Sequence, residues 1–203
     1  MFTSTRFYII FRNNSLIIKK EGDNLENIID FESFIPNVPF YYHFFDEDKP
    51  FIKDRIRLIV KEFKIRNTTI IVPDDSIDIE VDKRVLTEFF MLCGAKKIQV
   101  KSQGIFLSLD NKKYISFSRT TRTIVLQYIV NNKSIVKKYY DKNYTDMKQI
   151  ALDAKNLHID CEYENIPIYI NNINNDMEKF NVIGTVVSLN DISTNIMNYK
   201  YEE

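Results

Sequence analysis

The stretch that decides the fold runs from residue 68 to residue 100 and reads "TTIIVPDDSIDIEVDKRVLTEFFMLCGAKKIQV". Its opening, "TTIIVP", predicts a short buried strand, because it is apolar, rich in β-branched residues and ends on proline. Apolar residues then recur at helical spacing, and this predicted stripe consists of Val81, Val85, Phe89 and Leu92, widened by Leu86 and Phe90. Gly94 follows, in a chain with only 4 glycines. It predicts a helix that ends on a left-handed residue before the strand "AKKIQV".

The residues before this stretch extend it into an alternating pattern. "RFYIIF" and "SLIIKK", separated by "RNN", predict a β-hairpin, and "FIPNVPFYYHFF" suggests a further short strand. Residues 48–65 predict a helix, since Pro50 suits a first helical turn. Its predicted apolar face consists of Ile52, Ile56, Ile59, Val60 and Phe63. The order helix, strand, helix, strand favours parallel strands covered by helices.

The second half of the chain begins again with strands. "KYISFS", "TRTIVLQYIV" and "KSIVKKYYD" predict an antiparallel meander, and "TDMKQIALDAKNL" predicts a helix capped by Thr145. "IPIYI" and "NVIGTVVSL" predict two more strands, and the tail "NYKYEE" is expected to be frayed. Both halves thus follow the layout of a ribonuclease-H-like lobe. We predict an α/β protein of two such lobes, residues 1–109 and 110–203, each a mixed sheet flanked by helices.

The composition excludes several classes of protein. Hydrophobic residues make up 44% of the 203 residues and charged residues 28%, which argues against disorder. Lys+Arg and Asp+Glu both number 28, and this zero net charge argues against a dedicated nucleic-acid binder. No run approaches the ~20 apolar residues of a membrane span, and no secretory signal is visible. We therefore expect a cytoplasmic protein without a nucleic-acid partner, in which Cys93 is a buried thiol.

Three motifs in the opening stretch stand at fixed spacing: "IIVP", "VDKR" at residues 81–84 and "CGAKKI" at residues 93–98. This pattern resembles the actin-like ATPase superfamily, and most of all the bacterial actin MreB. There a strand ends in "VP", a helix carries "VERR" near its start, and "AGA" precedes the next strand. The second phosphate loop of that family, roughly "IDIGGGTTEI", falls on "ISFSRTTRTIVL", where Ile115, Thr121 and Ile124 match in type. The resemblance covers residues 3–140.

The resemblance implies a site for magnesium and nucleotide between two lobes. In such ATPases glycines let backbone N–H groups approach the phosphates, while acidic residues hold the metal shell and position the attacking water. The first phosphate hairpin corresponds to "TSTRFYIIFRNNSLIIKKE". The remnant of the second phosphate loop consists of Ser116, Ser118, Arg119, Thr120 and Thr121.

The departures from the family pattern concern the residues that carry its chemistry. In the second loop, Ser116 stands at the aspartate position of the family, and Ser118, Arg119 and Thr120 stand at the three glycine positions. The first loop's Asp-x-Gly falls before or inside "MFTS" and has no counterpart, and the acidic residue after the "GAKKI" strand is replaced by Gln103. We therefore expect no catalytic residue, no metal site and no resident cofactor, with ATP and magnesium disfavoured.

Two other constellations admit a functional interpretation. The carboxylates of "DDSIDIEVD" lack the spacing of a calcium loop, and acidic residues at a helix start are explained by the helix dipole. Residues 112–142 hold eight Lys/Arg and one acidic residue. They indicate either solvated hairpin faces or a docking patch for an acidic partner, an anionic lipid surface or nucleic acid. Arg119 and Arg122 alternate with threonine across a turn, where they could hold an anion.

Three hypotheses follow. The first is a non-enzymatic actin-like scaffold or assembly protein that binds a protein partner or itself, with a role near cell shape, division or envelope assembly drawn from family analogy alone. The second is a divergent actin-like protein that binds nucleotide and polymerises. The third is an unrelated α/β binding module whose likeness over residues 68–98 is accidental.

Overall fold

The computed structural model describes residues 5–23, 26–31, 35–48 and 50–201. The chain divides into two compact units, Met1–Lys101 and Ser102–Glu203. The sequence analysis placed the boundary after residue 109, whereas residues 102–109 group with the second unit. The hydroxyl of Tyr114 donates to the carbonyl of Gly104 at 2.9 Å, which ties this segment to the second sheet. The motif position "MFTS" lies outside the described residues.

The first unit contains one five-stranded sheet in the order β3-β2-β1-β4-β5. Its strands are β1 (Arg6–Phe11), β2 (Ser15–Lys20), β3 (Glu26–Asp30), β4 (Asn67–Val72) and β5 (Lys97–Ser102). Its helices are α1 (Pro50–Glu62) and α2 (Glu80–Cys93), with 3-10 helices at Phe40–Phe45 and Ser76–Asp78. β1 pairs antiparallel with β2 and parallel with β4, so the sheet is mixed, as predicted.

A large apolar cluster of the first unit lies on one face of this sheet. Phe7, Ile9 and Phe11 of β1 pack there with the buried residues of both helices. On α1 these are Ile52, Ile56 and Val60, and on α2 they are Asp82, Leu86, Phe89, Phe90 and Cys93. The predicted stripe of α2 is therefore wrong at its ends, because Val81 and Leu92 are 61% and 63% exposed. The buried face of α2 instead begins at Asp82, the residue after Val81.

Two local predictions in the first unit have opposite outcomes. The segment "FYYHFF" forms a 3-10 helix, Phe40–Phe45, and not a strand. Its aromatic rings pack on the core in stacked and edge-on pairs, which a strand with alternating faces would not allow. Gly94 ends α2 at φ 115° as predicted. The N–H groups of Gly94 and Ala95 donate to the carbonyls of Met91 and Phe90, which is the hydrogen-bond pattern of a Schellman motif.

The second unit contains a five-stranded sheet in the order β10-β9-β6-β7-β8. Its strands are β6 (Lys113–Arg119), β7 (Thr123–Val130), β8 (Lys133–Asp141), β9 (Ile168–Asn172) and β10 (Thr185–Ser188). Its helices are α3 (Met147–Lys155), α4 (Ile159–Tyr163) and α5 (Leu189–Asn198), with 3-10 helices at Gln103–Phe106 and Glu178–Phe180. The strands β6, β7 and β8 form the predicted antiparallel meander, and β9 pairs parallel with β6 and β10. Each sheet thus has the strand order expected of a ribonuclease-H-like lobe.

The two faces of the second sheet differ in character. On one face Ile115 and Phe117 of β6 belong to an apolar core. Ile150 and Ala154 of α3, and Phe180, complete that core. On the other face the 3-10 helix Gln103–Phe106 lies against β6 and β7 and contacts α5. The side-chain amide of Asn195 donates to the carbonyl of Phe106 at 2.8 Å, which fastens α5 to this segment.

Three details of the second unit differ from the sequence analysis. Helix α3 is capped by Asp146, whose carboxylate accepts from the N–H of Gln149 at 3.0 Å, and not by Thr145. Helix α5 was not predicted, although Ser188 and Asp191 form a capping box at its start. The described part of the tail is not frayed, since the ring of Tyr199 lies 5.2 Å from that of Phe106.

Candidate functional site

The five candidate residues of the remnant phosphate loop lie on the hairpin formed by β6 and β7. Ser116 and Ser118 point to the face that carries the 3-10 helix, because they alternate along β6 with core residues such as Phe117. Arg119 points to the opposite face, whereas Thr120 and Thr121 occupy the turn. The structure therefore separates these residues over two faces and a turn, and does not bring them together as one pocket.

Ser116 and Ser118 belong to a buried cluster of uncharged polar side chains. Gln127 on β7 donates from Nε2 to the Oγ of Ser116 at 3.4 Å, and both residues are fully buried. On the neighbouring strand β9, Asn171 is aligned with Ser118 and donates to the Oε1 of Gln103 at 3.0 Å. We call Gln103, Ser116, Ser118, Gln127 and Asn171 the neutral polar cluster. None of these side chains ionises near neutral pH.

Two members of this cluster, Gln127 and Asn171, are not among the site residues predicted from the sequence. Gln127 interrupts the apolar run "TIVLQYIV" of β7, and Asn171 follows the apolar start of β9. A polar residue inside a strand that is buried on both faces is the signal that could have identified them, because such a group requires a hydrogen-bond partner. The Oε1 atom of Gln127 has no hydrogen-bond partner among the described residues.

The turn between β6 and β7 is closed by the side chain of Thr120. Its Oγ1 accepts hydrogen bonds from the backbone N–H groups of Arg122 and Thr123, each at 3.1 Å. The N–H of Thr120 itself donates to the carbonyl of Thr123 at 2.8 Å. No residue of this turn has a positive φ, so its backbone lacks the conformations that glycine contributes to phosphate loops. Three N–H groups of the turn are thus used within it.

Arg119 is held on the core side of the sheet by an acidic residue. Its Nη1 lies 3.6 Å from the Oδ2 of Asp176, in the loop after β9, and its guanidinium lies 5.8 Å from the ring centre of Phe180. The side chain of Arg119 is 18% exposed. An anion that binds Arg119 therefore competes with a carboxylate that is already in place.

Other basic residues of the stretch 112–142 are also paired with carboxylates. Lys113 lies 3.0 Å from Asp160 and 2.6 Å from Glu164. Hydrogen bonds from Tyr128 and Lys113 lower the pKa of Asp160. Lys138 lies 2.7 Å from Asp153 on α3. These ion pairs reduce the positive charge that the stretch presents to a partner.

Three of the five carboxylates in the acidic stretch of the first unit are buried, whereas Asp78 and Glu80 are exposed. Asp74, Asp75 and Asp82 are at most 5% exposed, and both carboxylate oxygens of Asp82 accept hydrogen bonds from Tyr41 and Tyr42. No group of three or more His, Cys, Asp or Glu residues that could hold a metal occurs within the described ranges. The loop is therefore a hydrogen-bonded structural element.

The residues at the remnant loop do not fit magnesium and a triphosphate. Magnesium prefers carboxylate oxygens and bound phosphates, whereas the neutral polar cluster offers only hydroxyl and amide groups. Phosphates bind to backbone N–H groups that point outward, whereas the turn directs three of its N–H groups to Thr120 and Thr123.

Comparison with known proteins identifies the fold. No protein-family model matches the chain, and no curated protein matches it by sequence. The ethanolamine utilization protein EutJ from Carboxydothermus hydrogenoformans matches with a TM-score of 0.60 and 9% identity, over 98% of this chain and 91% of that chain. AlfA from the B. subtilis plasmid pLS32, solved as a filament, matches with a TM-score of 0.55 and 12% identity, over 98% of this chain and 100% of AlfA.

The chain has the two-lobed actin-like fold. The resemblance seen in the sequence is thereby confirmed at the level of fold. MreB5 of Spiroplasma citri bound to ADP gives a TM-score of 0.49 at 10% identity, over 79% of this chain. The match spans only 58% of the MreB5 chain. Within the described residues, no helix is long and apolar enough to cross a membrane.

Proposed function

We propose that this actin-like chain is a non-catalytic scaffold or assembly protein whose nucleotide site has degenerated. The observation that carries the proposal is the neutral polar cluster at the position of the second phosphate loop. Ser116, at the loop's aspartate position, is fully buried and bonded to Gln127, so it offers no charge to a metal ion. Gln103, at the position of the acidic residue after β5, is bonded to Asn171.

The proposal places the working surfaces of the protein outside the nucleotide site. Actin-like folds support many functions, and function therefore depends on individual surfaces rather than on the fold. The match to AlfA, which was solved as a filament, favours self-assembly as one mode of action. The proposal includes a cytoplasmic role in cell shape, division or envelope assembly.

The second candidate function is a divergent nucleotide-binding protein that polymerises. Arg119 is the observation that favours it, because its Nε atom is buried and has no hydrogen-bond partner among the described residues. A phosphate could supply that partner if it displaced Asp176. The third hypothesis, an unrelated module with an accidental likeness, is wrong at the level of fold, because both actin-like lobes are present.

Titration with fluorescent ATP in the presence of Mg²⁺ distinguishes the first two candidates. We expect no saturable binding tighter than about 1 mM and no phosphate release. Binding that is tighter than this and is lost in Arg119→Ala would instead establish the second candidate. Arg84→Ala is the matched control, because Arg84 is an exposed arginine on α2 whose Nε lies 2.7 Å from the carboxylate of Glu88 on the same helix.

Contact with an anionic surface through residues 112–142 is a further part of the proposal. The ion pairs of Lys113, Arg119 and Lys138 weaken this surface, so we expect it to be secondary to protein contacts. Co-sedimentation with vesicles of phosphatidylserine and phosphatidylcholine, compared with phosphatidylcholine alone, measures it. Equal sedimentation with both kinds of vesicle would show that the protein does not bind an anionic lipid surface through charge.

A further inference from the structure

Two outer sheet edges carry opposite charges around an exposed isoleucine. β3 is the outer strand of the first sheet and β8 is the outer strand of the second, and within the described residues no strand pairs with their outer sides. β3 reads "ENIID" and β8 begins "KSIVK". Each segment places a charged residue, isoleucine and a charged residue at alternate positions. The charges are acidic in β3 and basic in β8.

The side chains at these alternate positions are exposed, apart from that of Lys137, which is half-buried. Ile28 in β3 is 46% exposed, and Ile135 in β8 is 51% exposed. Glu26, Asp30 and Lys133 are also exposed. Glu26 contacts Lys19 of β2 at 3.0 Å, so a lysine of β8 would share this carboxylate with Lys19. Ile135 has no counterpart on β7, because the pairing of β7 and β8 shifts register at this point.

The charges discriminate between possible pairings of these edges. Like charges placed opposite each other across a pair of strands are destabilising, and opposite charges are stabilising. Pairing of β3 with β3 would oppose carboxylates, and pairing of β8 with β8 would oppose ammonium groups. Charged edges of this kind prevent unwanted pairing with a copy of the same edge. Of these two edges, only β3 with β8 matches an acidic edge to a basic one. The edge strand β5 also carries lysines at alternate positions, but Gln99 lies between them where β8 has Ile135.

We propose that β3 of one copy adds to β8 of a second copy, so that the chain assembles head to tail. The pairing aligns Ile28 with Ile135 and sets the carboxylates of β3 against Lys133 and Lys137. Backbone hydrogen bonds supply affinity in such strand addition, and the alternate side chains supply specificity. Because the contact joins two different surfaces, it leaves one edge free at each end and generates rings or filaments. This inference rests on the proposed assembly function and names its partner as a second copy of the chain.

Cysteine cross-linking between two single variants tests the pairing directly. Ile28→Cys and Ile135→Cys replace exposed side chains, and the native Cys93 and Cys161 are buried. Under mild oxidation we expect a disulfide-linked dimer in the mixture of the two variants and none in either variant alone. A dimer from one variant alone, or no dimer in the mixture, would overturn the proposal.

Charge exchange provides a second test that does not require a disulfide. Lys133→Glu with Lys137→Glu makes both edges acidic, and Glu26→Lys with Asp30→Lys makes both edges basic. Each double variant should associate with itself at least about tenfold more weakly in sedimentation velocity, since two attractive pairs become repulsive. An equimolar mixture of the two should regain wild-type association. Loss in both variants without recovery in the mixture would contradict the pairing.

The controls for charge exchange carry the same changes elsewhere on exposed positions. Lys148→Glu with Lys155→Glu on α3, and Glu47→Lys with Asp48→Lys before α1, should associate like the wild type. The outcome is independent of the nucleotide titration. ATP binding would overturn the degenerate site without affecting the cross-link, and a missing cross-link would overturn the edge pairing without restoring nucleotide binding.

Discussion

The hydroxyl of Tyr41 donates a hydrogen bond of 2.6 Å to the carboxylate of Asp82, which lies 41 residues further along the chain. Tyr42 donates to the other oxygen of the same carboxylate, and the Oγ of Ser76 lies 2.7 Å from the hydroxyl of Tyr41. Asp82 stands in the first turn of α2, where the helix dipole favours a negative charge. This network joins the aromatic 3-10 helix Phe40–Phe45 to the start of α2.

Removal of the Asp82 carboxylate should destabilise the protein strongly. Asp82→Ala leaves two tyrosine hydroxyls without this acceptor in a buried site, and we expect a loss of about 3 kcal/mol in the free energy of unfolding. Tyr42→Phe removes only one donor and should cost about 1 kcal/mol. Urea unfolding measures both variants. Equal stability of Asp82→Ala and the wild type would show that the network contributes nothing.

Asp153 should make stability depend on pH in the acidic range. Burial raises its pKa, but hydrogen bonds from Lys138, Tyr140 and Gln149 outweigh burial, so the net pKa is lowered. A lowered pKa in the folded state gives stability that is present above the unfolded pKa of about 3.9 and is lost as the pH falls further.

We therefore expect Asp153→Asn to be less stable than the wild type at neutral pH. The difference should shrink as the pH falls below about 4 and through the folded pKa of Asp153. Urea unfolding at several pH values measures it, with Asp110→Asn as the control at an exposed position. A difference that grows as the pH falls would contradict the assigned direction.

The hydroxyl of Thr120 should be necessary for the turn after β6. Thr120→Val keeps the shape of the side chain but leaves the N–H groups of Arg122 and Thr123 without this acceptor. Thr120 is 4% exposed, so we expect a cost of about 1–3 kcal/mol in the free energy of unfolding. Thr120→Ser keeps the hydroxyl and should lie close to the wild type. A larger loss in Thr120→Ser than in Thr120→Val would assign the effect to packing of the methyl group instead.

Two glycines should respond to alanine for different reasons. At Gly184 an added Cβ would lie 2.5 Å from the carbonyl oxygen of Ile168, so Gly184→Ala forces the backbone of β9 to move. At Gly94 nothing lies within 4 Å, and only the φ of 115° opposes a side chain. We expect Gly94→Ala to cost about 1 kcal/mol and Gly184→Ala more, by thermal unfolding. A larger loss of stability in Gly94→Ala than in Gly184→Ala would show that the backbone of β9 moves at little cost in free energy.

Cys93 should react slowly with thiol reagents in the folded protein. Burial raises its pKa to about 11, against the opposing effects of Arg57, Lys53 and Lys61. The reactive thiolate is then rarer than in an ordinary cysteine by roughly a hundredfold at pH 8. Labelling with a thiol reagent, before and after unfolding in guanidinium, measures this protection. Rapid labelling of Cys93 in the native protein, located by peptide mapping, would contradict its burial.

Periodicity predicted most of the fold because it reports how each element meets the core. The hairpin "RFYIIF" to "SLIIKK", the helix at Pro50–Glu62 and the meander β6 to β8 all follow from local patterns. Gly94 was also predictable, since a helix end needs its left-handed φ whatever the rest of the chain does. These features depend on residues that are neighbours in sequence.

The remaining features depend on residues that are distant in sequence. The buried face of α2 includes Asp82, which accepts a hydrogen bond from the distant Tyr41, and it leaves Val81 and Leu92 exposed. The neutral polar cluster requires Asn171 to meet Gln103, 68 residues away. The candidate loop residues are consecutive or nearly so in sequence, whereas the pleat of β6 sends Ser118 and Arg119 to opposite faces of the sheet. No local pattern contains this information.

The neutral polar cluster has a consequence for control of the protein in the cell. Its hydroxyl and amide groups neither gain nor lose protons under physiological conditions, and on the proposed function no fuel molecule exchanges beside them. The lobe that contains them would then keep one shape whether energy supply is high or low. The timing of any assembly would then depend on how many copies of the protein the cell synthesises and degrades.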